Sequence, residues 1–246
     1  MASLPVSALA RPLDLRYSSN RVALVGAGVT LVLARRRGQS WGRALDAAGL
    51  AFLAWATARE LDPDHPVTAN AALPLGAVAG LAGLDTALPG LGALSGLRVL
   101  AGTTGEPPTV LDHAAMLAQT ALTAATGSRS AALLPGLAAF VVRPTPTAAV
   151  PVLGASVPAW LARSGPTGSL GPLAAALALG PLLVRPERVT SECDRAPRQV
   201  RDQDVRRARI AAFAALSLGL TQRRAAGLVP LACAVLSVGV RRLRQP

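Results

Sequence analysis

Uncharged stretches rich in Ala, Leu, Gly and Val alternate along this chain with short polar breaks, and arginine recurs at the breaks. The stretches run over residues 22–34, 44–58, 68–97, 112–126, 130–142, 145–162, 169–184, 210–221 and 225–240. Their lengths and their Ala and Leu content favour helix over strand. Apolar helices edged by cations are what the hydrocarbon core of a bilayer demands. The pattern predicts an all-α fold, a polytopic integral membrane helix bundle of about 8–10 short helices packed through Ala and Gly.

Several stretches fall short of the roughly 20 residues of a straight span, a deficit that flanking arginines reduce by snorkelling. Residues 22–34 fit a half-span or an interfacial helix as well as a crossing. Residues 68–97 are too long for one simple span, and Pro89-Gly90 predicts a break, giving a bent helix or a hairpin. With that stretch taken as a single crossing, Arg35-Arg36-Arg37, Arg43, Arg98, Arg143, the 185–209 region and residues 241–244 share one side. Glu60, Asp62 and Asp64 then fall on the other side. The positive-inside rule makes the arginine side cytoplasmic, with an outer N-terminus and a cytoplasmic C-terminus in a cell membrane. Arg11, Arg16, Arg21, Arg59, Arg129, Arg163 and Arg223-Arg224 run against this assignment.

Composition supports the address. Only 15% of the 246 residues are charged, against roughly 25% in a soluble domain. Mean hydropathy is +0.42. The net charge is +12, and every basic side chain is Arg. A pI near 11.7 suits nucleic acid, but the arginines are dispersed at segment ends without aromatic interleaving. Anionic lipid headgroups are therefore the expected counter-charge, and nucleic acid is not. A homo-oligomer or another membrane protein stays open as a partner. Cys193 and Cys233, one in a charged stretch and one in an apolar one, predict neither a disulfide nor a metal site. Residues 1–21 hold no apolar run of signal-peptide length.

Four regions follow: a polar segment 1–21, a membrane bundle 22–184, a charged loop or helix 185–209, and a C-terminal helical hairpin 210–246 with a basic tail. Leu45-Asp46-Ala47-Ala48 compares with Leu111-Asp112-His113-Ala114, and Asn70-Ala71-Ala72-Leu73-Pro74 with Ser130-Ala131-Ala132-Leu133-Leu134-Pro135. Two-helix repeats in one orientation give such a pattern, although Ala/Leu-rich composition also produces it by chance.

Ionisable groups within or beside spans are the place to look for chemistry, because burying them in lipid is costly. Asp46 and Asp112 open two helices, and Asp85 lies roughly 25 Å along the third stretch at 1.5 Å per residue. The assumed topology puts all three at one membrane depth, beside His113, an arrangement suited to binding a cation or small solute. Helix capping accounts for the same carboxylates without a ligand. The polar run Glu60-Leu61-Asp62-Pro63-Asp64-His65 offers carboxylate oxygens and an imidazole to a divalent ion, or else forms a stiff capped turn.

Enzyme signatures are thin. Val25-Gly26-Ala27-Gly28 starts like a dinucleotide turn, but Leu31 takes the third glycine position and no βαβ alternation follows. Only His65 and His113 are available for a histidine-based triad, on opposite predicted faces, and neither G-x-S-x-G nor H-E-x-x-H occurs, which leaves carboxylate and metal chemistry open. No cofactor motif is present. The expected function classes are a small-solute or ion transporter-like protein, a membrane-embedded enzyme acting on a lipid or isoprenoid substrate, and a structural or accessory membrane subunit.

Overall fold

The computed structural model describes residues 7–11, 13–125, 128–142 and 169–244. The stretch 145–162, Arg143 and Arg163 lie outside them. Within them the chain forms α1 (Ser18–Arg36), α2 (Trp41–Leu61), α3 (Pro66–Leu81), α4 (Ala87–Ala101), α5 (Val110–Ala125), α6 (Arg129–Val142), α7 (Leu170–Ala178), α8 (Gly180–Leu183), α9 (Asp202–Thr221) and α10 (Val229–Leu243). The all-α class stands.

The membrane half of that expectation meets a physical limit. No helix among the described residues is long and apolar enough to cross a membrane. The long helices α1, α2 and α9 have 19, 21 and 20 residues, but each carries arginine or acid in its terminal turns. The more uniformly apolar α3 and α4 have only 16 and 15.

Local chemistry sets the helix ends. The Ser40 hydroxyl accepts from the Arg43 N–H at the start of α2. Pro66 opens α3, where its missing N–H costs nothing. Thr109 and Asp112 form a reciprocal capping box at α5: the Asp112 N–H donates to Thr109 Oγ1 (3.2 Å) and the Thr109 N–H to Asp112 Oδ2 (2.8 Å).

Residues 68–97 form two helices of opposite direction, α3 and α4, each packed on α2 and neither on the other, in place of one continuous helix. The chain turns at 82–86, where Gly83 adopts a φ of +66°. Pro89-Gly90 lies inside the first turn of α4, which tolerates proline because its N–H groups have no intrahelical acceptor. This reversal turns the later described helices end for end relative to the sequence expectation. Arg98, the 185–209 region, Arg241 and Arg242 therefore share one end of the bundle with Glu60, Asp62 and Asp64. Arg35-Arg36-Arg37 and Arg43 sit at the opposite end with Asp46 and Asp85. The helices α2 and α5, which carry the two Leu-Asp matches, run in opposite directions, so they are not same-orientation repeats.

Helix α2 is the hub, packing on α1, α3, α4 and α10. Its contact with α3 is close because Gly76 and Gly80 stand where any Cβ would collide with it. A Cβ on Gly76 would lie 2.6 Å from the Leu50 carbonyl oxygen, and one on Gly80 2.6 Å from Ala47 Cα. The core is built from Ala, Leu and Val of α2, α4, α9 and α10.

Candidate functional site at the charged end of the bundle

The C-terminal turn of α2 delivers Glu60 and Asp62 to the same end of the bundle, into two separate networks. Glu60 is fully buried. Its Oε1 takes Arg98 Nε at 2.7 Å and Arg11 Nη1 at 3.4 Å, and its Oε2 accepts the Thr103 hydroxyl. Arg11 reaches on to Asp194 with Nη2 at 2.9 Å. This network ties α2 and α4 to the N-terminal strap (residues 7–11) and to the charged stretch 185–201.

The second network centres on Asp62 and Glu187. Asp62 accepts Arg241 Nη2 at 2.9 Å and the Thr68 hydroxyl at 2.9 Å, and its Oδ1 lies 3.0 Å from His65 Nδ1. Glu187 receives Arg209 Nη2 at 2.8 Å, Arg241 Nη2 at 2.8 Å and Arg242 Nη2 at 2.7 Å. Arg209 is buried within α9 and also donates Nε to the Leu61 carbonyl at 2.7 Å. Burial by itself raises the Glu187 pKa, but the Arg241 hydrogen bond and the Arg209 and Arg242 charges prevail and hold it below the usual carboxylate range.

Asp62, His65 and Glu187 place one ligand atom each within 4.8 Å of one another, so a divalent ion is the first ligand to test. The donor set does not fit one. Both carboxylates already neutralise guanidinium groups, and a dication would stand among three fixed positive charges. Glu60 and Asp64 do not join the trio. Asp64 instead accepts the Thr190 N–H (2.8 Å), the Ser191 N–H (2.8 Å) and the Thr190 hydroxyl (3.0 Å), together with the Ser191 hydroxyl. Burial pushes the Asp64 pKa up, yet these hydrogen bonds, led by the Ser191 hydroxyl, leave it lowered.

The stretch 185–201 is consequently a folded cap. Asp194 N–H donates to the Thr103 carbonyl (3.0 Å), Arg195 N–H to the Thr104 carbonyl (3.1 Å), and Val189 N–H to Asp202 Oδ1 (2.7 Å).

Asp46, Asp85 and Asp112 do not share one depth. At the opposite end, Asp85 accepts the Thr86 and Gly227 N–H groups at 2.8 Å each and the Val229 N–H at 3.1 Å, and Asp46 accepts the Ala87 N–H at 3.1 Å. The two carboxylates thereby close the starts of α4 and α10 from neighbouring segments. Burial, aided by the nearby Asp46 charge, pushes the Asp85 pKa up to about 6 against the pull of its three N–H donors. Asp112 lies at the charged end. Beyond its capping box it accepts the Ala8 N–H at 3.0 Å and the Ser7 hydroxyl, latching the strap. His113 is buried beside it, and among the described residues neither ring nitrogen has a hydrogen-bond partner.

Two cavities adjoin the Glu60 network and share Arg11 and Arg59 in their walls. One is a mainly apolar groove of about 250 Å³ between α2, α4 and the strap, lined by Leu9, Phe52, Trp55, Leu91 and Leu94, with the ion-paired Glu60 and Arg98 also in its wall. The other is a polar cavity of about 530 Å³ under the folded cap, lined by Arg16, Tyr17, Asn20, Thr103 and Ser191 among others. The sequence pattern assigns no individual role to Arg11, Arg59, Arg98, Glu187 or Arg209. Arg59, Arg98 and Arg209 stand at the edges of apolar runs, where a lipid-facing and a buried arginine leave the same trace in the sequence, and Arg11 and Glu187 lie within polar stretches.

No protein-family model, curated protein or solved structure matches this chain.

Proposed function

We propose that this chain is an integral membrane protein whose charged end lies at the lipid headgroups and binds anionic lipid there. One observation carries the reading. Between its two charged ends the bundle bares large apolar side chains, Val25, Val29, Val78, Leu122 and Leu133 among them, on helix segments that contain no charge. Isolated exposed leucines are ordinary, but a belt bounded on both sides by arginine is a surface for lipid. Helix α2, with 21 residues, is about 31 Å long at 1.5 Å per residue. Arginines at both helix ends extend the shorter neighbours by snorkelling in a thinned bilayer.

The arginine excess lies at the end that carries Arg98, the 185–209 cap, Arg241 and Arg242, which makes that end cytoplasmic under the positive-inside rule. The strap and the C-terminus of α10 belong to it. The transporter-like reading needs Asp85 or Asp112 in a wet space between helices, and both carboxylates are engaged in closing helix starts. Lipid binding makes no such demand. For a catalytic reading, no histidine lines either cavity among the described residues, and of the carboxylates that do, Glu60, Asp14 and Asp194 are paired with arginines and Glu192 is exposed.

Fractionation tests this. The protein should remain with membranes through alkaline carbonate and leave them only with detergent, and a fluorescent-protein fusion after Pro246 should fold on the cytoplasmic side. Recovery in the supernatant of a detergent-free lysate would sink the reading.

A further inference from the structure

We propose that the apolar groove and the polar cavity meeting at Arg59 form a single site for a phosphate-bearing amphiphile, with its chain in the groove and its headgroup on Arg59. This rests on the membrane reading above and gives it a ligand class. Arg59 leaves the last turn of α2 with its guanidinium 5.1 Å from the Trp55 ring centre and Nη1 donating to Asn20 Oδ1 at 2.7 Å. Neither partner is charged. The adjacent carboxylate, Glu60, is taken by Arg98, Arg11 and Thr103. No carboxylate of the described residues makes an ion pair with Arg59; the acids that act on it, Glu60 and Asp194, are already paired with other arginines, and Arg11 and Arg98 add positive charge beside it, so a half-buried cation faces both cavities without an ion-pair partner of its own. An anion with several oxygens suits the guanidinium fork, and exclusion of water strengthens the pairing.

The two chambers divide the ligand by polarity. The groove offers Phe52, Trp55, Leu91 and Leu94, and about 250 Å³ lies below the usual range for drug-sized ligands, roughly 300–1,000 Å³, so it suits one hydrocarbon chain. The cavity beyond Arg59 adds the Tyr17 hydroxyl and Arg11, whose five N–H groups outnumber its contacts to Glu60 and Asp194. Its acids Asp14 and Asp194 are paired with Arg16 and Arg11, and Glu192 is exposed. A bare carboxylate headgroup would leave most of these donors unused, whereas a phosphate ester reaches them.

The test uses the full chain in a neutral maltoside detergent, with dodecyl phosphate, inorganic phosphate and dodecanol as probes, read by thermal midpoint and by tryptophan fluorescence. Dodecyl phosphate should bind saturably, and the other two should not at the same concentration. Arg59→Gln should weaken binding about tenfold or more, the scale of losing a charged hydrogen-bond partner. Asn20→Asp gives Arg59 a carboxylate but gives up the Asn20 Nδ2 donation to the Asp14 carbonyl (2.8 Å), so it should lower the melting midpoint while the chain still folds, and it should abolish binding. Leu91→Trp should narrow the groove and weaken the dodecyl ester specifically. Wild-type affinity in both Arg59→Gln and Asn20→Asp would overturn the proposal. So would equal binding of dodecanol, which would leave only an apolar groove, or of inorganic phosphate, which would leave only a small-anion site. A protein that stays in membranes but ignores dodecyl phosphate removes this inference alone. A soluble protein that still binds it removes the membrane reading alone.

Discussion

Asp85 accepts three backbone N–H groups, which favour its ionised form, and still has a pKa of about 6 because it is buried beside Asp46. The ordinary value is about 3.9. Between about pH 4 and 6 the folded chain holds a proton that the unfolded chain has released, so stability falls as pH rises through that window and levels off above it. Glu187 and Asp64, both lowered, act in the opposite sense. Their contribution is present above the ordinary carboxylate value and fades as pH falls. Thermal midpoints at pH 4.5 and pH 7 should therefore differ between wild type and Asp85→Asn by the slope that Asp85 supplies, and parallel curves would refute the assignment. Glu60 poses the converse case. Glu60→Gln leaves Arg98 and Arg11 buried without their shared counter-charge, a loss on the order of 3–5 kcal/mol in denaturation. Arg98→Met added to it should restore part of that loss. The aspartates are legible in the sequence as caps, because short acids before helical runs satisfy free N–H groups. Which helix each one caps is not. Asp46 and Asp85 serve helix starts elsewhere in the chain, and only the tertiary fold brings those together.

Among the elements, the helices themselves are readable, since apolar stretches longer than a strand leave little alternative. The boundary inside residues 68–97 is not, because Pro89-Gly90 is the stronger local breaker, whereas the actual turn rests on the positive φ of Gly83 and on Asp85 binding the next helix. The small residues do announce close packing. In α3, Gly76 and Gly80 stand four apart and leave room only for the α2 backbone and Ala47, Ala51 and Ala54. Gly80→Leu must push α3 off α2, because the colliding atoms are backbone and cannot rotate away. Overpacking of this kind costs about 1–3 kcal/mol or more. Gly28, where an added Cβ would meet nothing within 4 Å, is the control: Gly28→Leu should leave the unfolding free energy within about 0.5 kcal/mol of wild type, as surface changes do. Equal losses at the two positions would mean that α2 and α3 are not in this contact.

For the whole molecule, one misread turn reverses the sides of most charges. Sequence pattern carries the number of reversals only as parity, so two helices taken as one crossing separate Glu60 and Asp62 from the arginines they bind. The corrected arrangement makes the charged end a clamp. Glu187 gathers Arg209 from α9 and Arg241 and Arg242 from α10, while Asp62 holds the start of α3 to the same group. Asp64 fastens the cap from the other side through Thr190 and Ser191. Glu187→Ala would leave three guanidinium groups crowded without their shared acid, and repulsion would act first on the cap that supplied it. Hydrogen exchange should then accelerate in the 185–201 backbone, at the Val189 and Val200 amides in particular, while α2 and α4, packed through Ala and Leu, keep their protection. Exchange that rises uniformly through the bundle would show instead that the clamp supports the global fold. Unchanged exchange would show that the Asp64 contacts hold the cap without it.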